Sequence, residues 1–225
     1  MGVEAFTFLV RSLVGVAADN AVWMTWNLLL AFIPAALAVV VFRHRGPRTV
    51  LWWLGVALCV LFLPNAPYVV TDLVHLRADV VRADSDLAVI TAVLPVYTGF
   101  IALGLVAYVL VLGEMGRYLA RLGLGRWRVP AEMAAHAMCA VGVVLGRMAR
   151  LNSWEPMTEP QGTLERVILT LTWRGAPFVV LATFAVIWLC HGATRALVRS
   201  GLGSVGTLVR HMQRLAALRG PSGAA

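Results

Sequence analysis

Three groups of polar side chains interrupt an otherwise apolar chain, and any chemistry it performs must be sought in them. The central group lies in Leu61–Leu76, where Asn65, Tyr68, Thr71, Asp72 and His75 recur at the three- and four-residue spacing that puts side chains on one face of a helix. Asp72 and His75 are the candidate catalytic residues: a base with its orienting carboxylate, or two ligands of a metal site. Two ligands are too few for a metal, so neither a metal nor a cofactor is expected. A second group, Gly146–Glu155, carries Arg147, Arg150, Asn152, Ser153, Trp154 and Glu155. As a helical turn, it would put Arg147 and Arg150 on one face, and guanidinium groups suit carboxylate or phosphate. A phosphate clamp on a lipid headgroup and structural pairs such as Arg150–Asp72 or Arg147–Glu155 read equally well. The third group is Trp26-Asn27, and Asn27 completes the candidate binding set.

Other polar residues offer less. Glu132 and His136 are four apart without a third ligand, His191 and His211 have no evident partners, and Glu114 reads as a solvated residue of a basic connection. No Walker A loop, His-Glu-x-x-His, Gly-x-Ser-x-Gly or Cys-x-x-Cys is present. Cys59, Cys139 and Cys190 sit in apolar runs as small core residues.

The elements that must position these groups are membrane helices. The chain has 225 residues, 60% hydrophobic and 13% charged, with a mean hydropathy of +0.81. Soluble domains carry about a quarter charged residues. Long apolar runs, without the period-two alternation of a membrane barrel, indicate an all-α polytopic transmembrane bundle of about six helices. The expected spans are a marginal one at residues 3–18, then Trp23–Phe42, Val50–Leu76, Leu87–Leu112, Ala131–Met148 and Ala176–Thr194. Residues 1–194 form one transmembrane domain, and 195–225 a basic cytoplasmic tail that either enforces topology or lies on the inner leaflet through Leu202, Val205, Leu208 and Val209. Gly220–Ala225 reads as a disordered end.

All 19 basic residues are arginine, which removes lysine-based Schiff-base chemistry. The net charge of +8 would suggest nucleic acid in a soluble protein, but here it follows the connections. Residues 43–48, 113–130 and the segment after 195 are arginine-rich, whereas 71–86 carries Asp72, Asp79, Asp84 and Asp86. The positive-inside rule then places the arginine-rich connections and the C-terminus in the cytoplasm, and the polar groups on the extracytoplasmic side. Trp52, Trp53 and Trp127 fall near the inner boundary, and Trp23, Trp26, Trp154 and Trp173 near the outer. No nucleic-acid partner is expected; the partners are the bilayer and an anionic or lipid-linked small molecule, with protein partners left open.

Depth matters for the central stretch. Val50–Leu63 rises only about 21 Å, short of the roughly 30 Å hydrocarbon core, so Pro64 and Pro67 lie in its outer half. Pro64 is expected to push Leu63 out of helical geometry, and Asn65 to cap a new half-helix whose N-terminus faces an anion. A plain proline kink, its polar groups bonded to neighbouring helices at about 0.6–2 kcal/mol each, is the alternative. Gly142-x-x-x-Gly146 is a pattern that admits a close neighbour.

Asn27-Leu-Leu-Leu-Ala31-x-x-Pro34, Leu63-Pro-Asn-Ala-Pro-Tyr-x-x-Thr-Asp-Leu-x-His-Leu76 and Gly146-Arg-x-x-Arg-x-Asn-Ser-Trp-Glu155 together resemble the DUF1361 family of predicted bacterial membrane proteins over roughly residues 20–195. The family pattern ends the third motif with Asp, where this chain has Glu155; the acid is kept but reaches farther. The resemblance implies a multi-span fold and a bacterial plasma membrane, and brings no catalytic assignment. Three functions stay open: binding or transport of an anionic or lipid-linked ligand, an enzyme acting on a lipid or lipid-linked sugar at the outer leaflet, and a structural or accessory membrane subunit.

Overall fold

The computed structural model describes the backbone of residues 2–218 and side chains through residue 201. The described residues fold into helices and connecting turns: α1 (Gly2–Arg43), α2 (Val50–Phe62), α3 (Leu73–Arg82), α4 (Leu94–Arg121), α5 (Arg128–Met148), α6 (Pro160–Thr172) and α7 (Ala176–Leu218), with single turns between them. Among the described residues, five stretches are long and apolar enough to cross a membrane: Gly2–Arg43, Val50–Arg82, Asp86–Arg121, Gly125–Met148 and Ala176–Gly201. The all-α bundle expected from composition is therefore present.

About six helices are expected, the first of them marginal, and it is that first one that does not stand as a separate helix. Residues 3–18 and 23–42 are parts of one helix of 42 residues, which rises about 63 Å. The four residues between them, Asp19-Asn20-Ala21-Val22, include neither Gly nor Pro, and once a helix is nucleated each further residue adds a hydrogen bond. The amino-terminal part of α1 therefore runs past the span. Its Asn20 side chain donates to Asp79 Oδ2 of α3 at 2.8 Å, so the chain's start lies at the same end of the bundle as α3.

α1 is the spine. It packs most extensively on α4 and next on α2. Ala31, Ala35 and Ala38 are buried along one side of α1, and Tyr97, Phe100, Ala107 and Tyr108 face them from α4. Lipid tails are as apolar as leucine, so close packing through small residues holds such helices together. Pro34 leaves α1 unbroken, and its carbonyl accepts the Cys59 thiol at 3.5 Å. Large hydrophobic residues such as Leu29, Val40, Leu103 and Leu189 are exposed, as a lipid-facing surface requires.

Glu114 is also corrected. It lies inside α4 and is 2% exposed, not in a solvated connection. Arg43 of α1 and Arg117 both pair with it. The helix runs on to Arg121, where the guanidinium donates to the Phe42 carbonyl. These contacts pin α1 to α4 at the arginine-rich end, and Trp52 Nε1 adds a bond to Val41 O at 2.9 Å.

Candidate functional site

The two prolines of the central stretch rewire the backbone without breaking its direction. Pro64 cannot donate to Val60, whose carbonyl accepts Leu63 N–H at 3.4 Å instead. Pro67 cannot donate to Leu63, whose carbonyl accepts Ala66 N–H at 3.2 Å. A turn at Asn65–Tyr68 and a tighter three-residue-per-turn segment at Val69–Asp72 then lead into α3. Regular helix is thus interrupted at the prolines, as expected, but Leu63 stays right-handed helical at φ −54°, ψ −39°. Its expected departure from helical geometry is corrected: shifting to i→i+3 bonding satisfies the freed carbonyls within the same turn.

Asn65 caps nothing. Its amide donates to Phe62 O at 2.9 Å and to Ser153 Oγ at 2.8 Å. The half-helix with an N-terminus free for an anion is therefore not formed. What replaces it is a set of side-chain contacts between helices.

Asp72 is the centre of that set and is 2% exposed. Asn27 of α1 donates to its Oδ2 at 2.9 Å, and Arg147 of α5 stands 3.6 Å from its Oδ1. Arg147 also donates to Thr71 O at 2.9 Å and Tyr68 Oη at 3.3 Å, and lies 5.7 Å over the Tyr68 ring. Thr71 Oγ1 turns back to Tyr68 O at 2.7 Å. One guanidinium and one carboxylate so join α1, the irregular stretch and α5 at the end of the bundle where α3 lies.

Close packing makes this reach possible. A Cβ on Gly142 would stand 2.6 Å from the Pro64 ring, and one on Gly146 would stand 3.1 Å from the Tyr68 ring. The small-residue pattern of α5 thus receives the proline and the tyrosine of the central motif.

The other candidates part company. His75 is exposed and stacks on Trp23 with ring centroids 4.8 Å apart; among the described residues no hydrogen bond joins it to Asp72. α5 ends at Met148, and Arg150 is exposed with φ +53°, so it does not share a helical face with Arg147. Neither expected structural pair forms: Asp72 takes Arg147 rather than Arg150, and Glu155 pairs with Arg166 of α6 at 3.0 Å. Asn152 donates to Glu155 at 2.6 Å, and that bond, with Arg166 behind it, holds the Glu155 carboxyl below the usual value. Trp154 packs edge-on to Trp26 at 6.4 Å.

Sequence reasoning missed Arg166 and a neighbouring network around Asp79. Asn20 and Tyr97 both donate to Asp79 Oδ2, at 2.8 and 2.9 Å, and Arg82 pairs with Oδ1 at 3.1 Å. Local spacing flags the Asp79–Arg82 pair only; Asn20 and Tyr97 are far away in sequence. His191, expected to lack partners, stands against the rings of His136 at 4.9 Å and Tyr108 at 5.8 Å. His211, the apolar tail residues from Leu202 and the end Gly220–Ala225 lie outside the residues whose side chains are described. Among the described residues no group of three potential metal ligands occurs.

A family model described as "Protein of unknown function (DUF1361)" matches residues 26–189, which include all three motifs. No curated protein and no solved structure matches the chain.

Proposed function

We propose a function for this chain, which belongs to the DUF1361 family of proteins of unknown function, from what adjoins Arg147: it binds an anionic, lipid-linked ligand at the outer leaflet of a bacterial cytoplasmic membrane. The observation that carries this reading is an apolar cleft of about 420 Å³ between the irregular stretch, α5 and α7. Pro67, Thr71 and Val143 form one wall, and Val179, Ala182 and Ile187 the other. Thr71 belongs to both places, lining the cleft while its carbonyl accepts Arg147. A hydrocarbon chain in the cleft would thus bring its anionic head to a guanidinium whose side chain is 35% exposed.

In this reading Asp72 holds Arg147 in place until a phosphate or carboxylate takes over part of its hydrogen bonding. Extracytoplasmic placement of this end follows from the positive-inside rule applied to Arg43–Arg48, Arg117–Arg128 and Arg195–Arg199. The enzyme reading loses support because His75 and Asp72 do not make a base–orienter pair. An accessory role is favoured by the near-complete burial of Asp72, and the same experiment separates the two.

Native mass spectrometry of the full chain with its co-purified lipids should show an anionic adduct. Arg147→Ala and the cleft-filling Ala182→Trp should each lower its retention about tenfold, the equivalent of one charge-assisted bond. Equal retention in both variants and the parent would leave the accessory role as the better account.

A further inference from the structure

A second cavity, of about 320 Å³, opens between α4, α5 and α7 at the arginine-rich end of the bundle. Arg117, Arg128, Arg195 and Arg199 line it, with Glu132 as its acid. His191 and an apolar face formed by Val106 and Leu110 of α4 and Val198 of α7 make up the rest of its wall. Arginines that serve only as topology signals need nothing more than a place near the cytoplasmic surface. These four instead come from three different helices and turn towards one space.

Their charge is not balanced there. Arg128 and Arg195 both lean on Glu132, at 2.9 and 3.2 Å. Arg117 shares Glu114 with Arg43. Arg199 has neither an ion pair nor a hydrogen bond among the described residues. Four cations thus face one lining acid, and one of the four is uncommitted.

A second observation points the same way. An adjoining cavity shares Glu132, His191 and Arg195 with the first and is lined by His136. His136 is fully buried and its Nδ1 is bonded to Tyr108 Oη at 2.8 Å, yet its Nε2 is buried with no partner. A buried polar atom without a protein partner is rare, and this one adds hydrogen-bonding capacity beside the arginine-lined cavity.

We propose that this cavity is a binding site for the phosphate group of an anionic amphiphile drawn from the arginine-rich side of the membrane. The phosphate oxygens meet Arg199 and Arg117 at the mouth, with Arg195 and Arg128 behind them, and the acyl chain lies along Val106, Leu110 and Val198. Guanidinium forks suit phosphate in pairs, and anionic lipids concentrate at that surface. The site is at the opposite end of the bundle from Arg147 and does not depend on the function proposed above.

The full chain in detergent micelles is titrated with dioleoyl phosphatidic acid and, separately, dioleoyl phosphatidylcholine, and adducts are read by native mass spectrometry. Beyond any adduct held at Arg147, phosphatidic acid should give one saturable adduct that phosphatidylcholine does not. Arg199→Gln should weaken it about tenfold at unchanged melting temperature, and Val106→Trp should weaken it similarly. Arg174→Gln, an exposed arginine outside the cavity, should leave it unchanged. Displacement by millimolar inorganic phosphate would identify the free ion as a sufficient ligand; no displacement would identify the lipid as the source. Equal binding of the two lipids, or a loss in Arg174→Gln as large as in Arg199→Gln, would overturn the site in favour of diffuse charge attraction.

Discussion

Arg147 Nη1 stands 3.6 Å from Asp72 Oδ1, and the two differ sharply in exposure: the arginine side chain is 35% exposed and the carboxylate side chain 3%. The pair is therefore asymmetric. Removing the arginine leaves a buried carboxylate with Asn27 as its remaining donor, and Arg147→Ala should cost about 3 kcal/mol, the lower end for a buried pair that loses one partner. Asp72→Asn leaves a cation that water can still reach, and should cost about 1 kcal/mol. Unfolding of the detergent-solubilised protein, followed by circular dichroism, measures both. Equal costs would show that Asp72 is not sealed.

Gly142 tests the packing beneath that pair. An added methyl would stand 2.6 Å from the Pro64 ring, so Gly142→Ala should destabilise by about 1–3 kcal/mol in spite of alanine's better helix propensity. At Gly99 of α4 a Cβ would meet nothing within 4 Å, and Gly99→Ala should be neutral or stabilising by up to about 1 kcal/mol. The two melting temperatures should move apart; a stabilising Gly142→Ala would contradict the close approach of Pro64.

The segment after α5 should respond to acid. Asn152 first, and Arg166 with it, holds Glu155 below its ordinary value of 4.5. For an acid with a depressed folded value, the stabilising contribution is complete above the ordinary value and is lost as pH falls through the folded one. Hydrogen exchange of residues 149–159 should therefore speed up relative to the rest of the chain as pH falls from about 6 to about 3, after correction for intrinsic rates. Glu155→Gln should flatten that dependence. An unchanged slope in the variant would assign the pH response elsewhere.

Five membrane-capable stretches that each cross once would place the two ends of the chain on opposite faces. Phe6→Cys and Ser200→Cys, each made in a background with Cys59, Cys139 and Cys190 replaced, should react with a membrane-impermeant maleimide from opposite sides of a sealed vesicle. Labelling of both from one side would require a sixth crossing and restore residues 3–18 as a span.

Residue type and spacing were enough to find the membrane helices and the polar positions between them, since lipid penalises an unpaired polar group wherever it falls in the fold. The motif at Leu63–Leu76 was legible for the same reason, as were its rarest members, Asp72 and His75. The pairing was not legible. Arg150 and Arg147 are equivalent as sequence, and only the end of α5 at Met148, with Arg150 in a left-handed conformation, separates the one that reaches Asp72 from the one that faces outward. Asp79 looked like one more acid of a polar connection because Asn20 and Tyr97 lie on other helices.

The sequence by itself determined that the chain crosses a membrane, that three of its connecting segments carry an excess of arginine, and that two prolines interrupt the helix bearing Asp72. Hydropathy, charge and proline chemistry are local properties, so each can be read without knowing any neighbour. Only the tertiary structure decided that residues 3–18 prolong α1 instead of forming a separate helix, and that Arg147 closes on Asp72. The same holds for Arg117, Arg128, Arg195 and Arg199, which surround a single cavity. Those outcomes depend on how helices far apart in sequence pack, and the short spacings that reveal a helix face do not say which helix that face will meet.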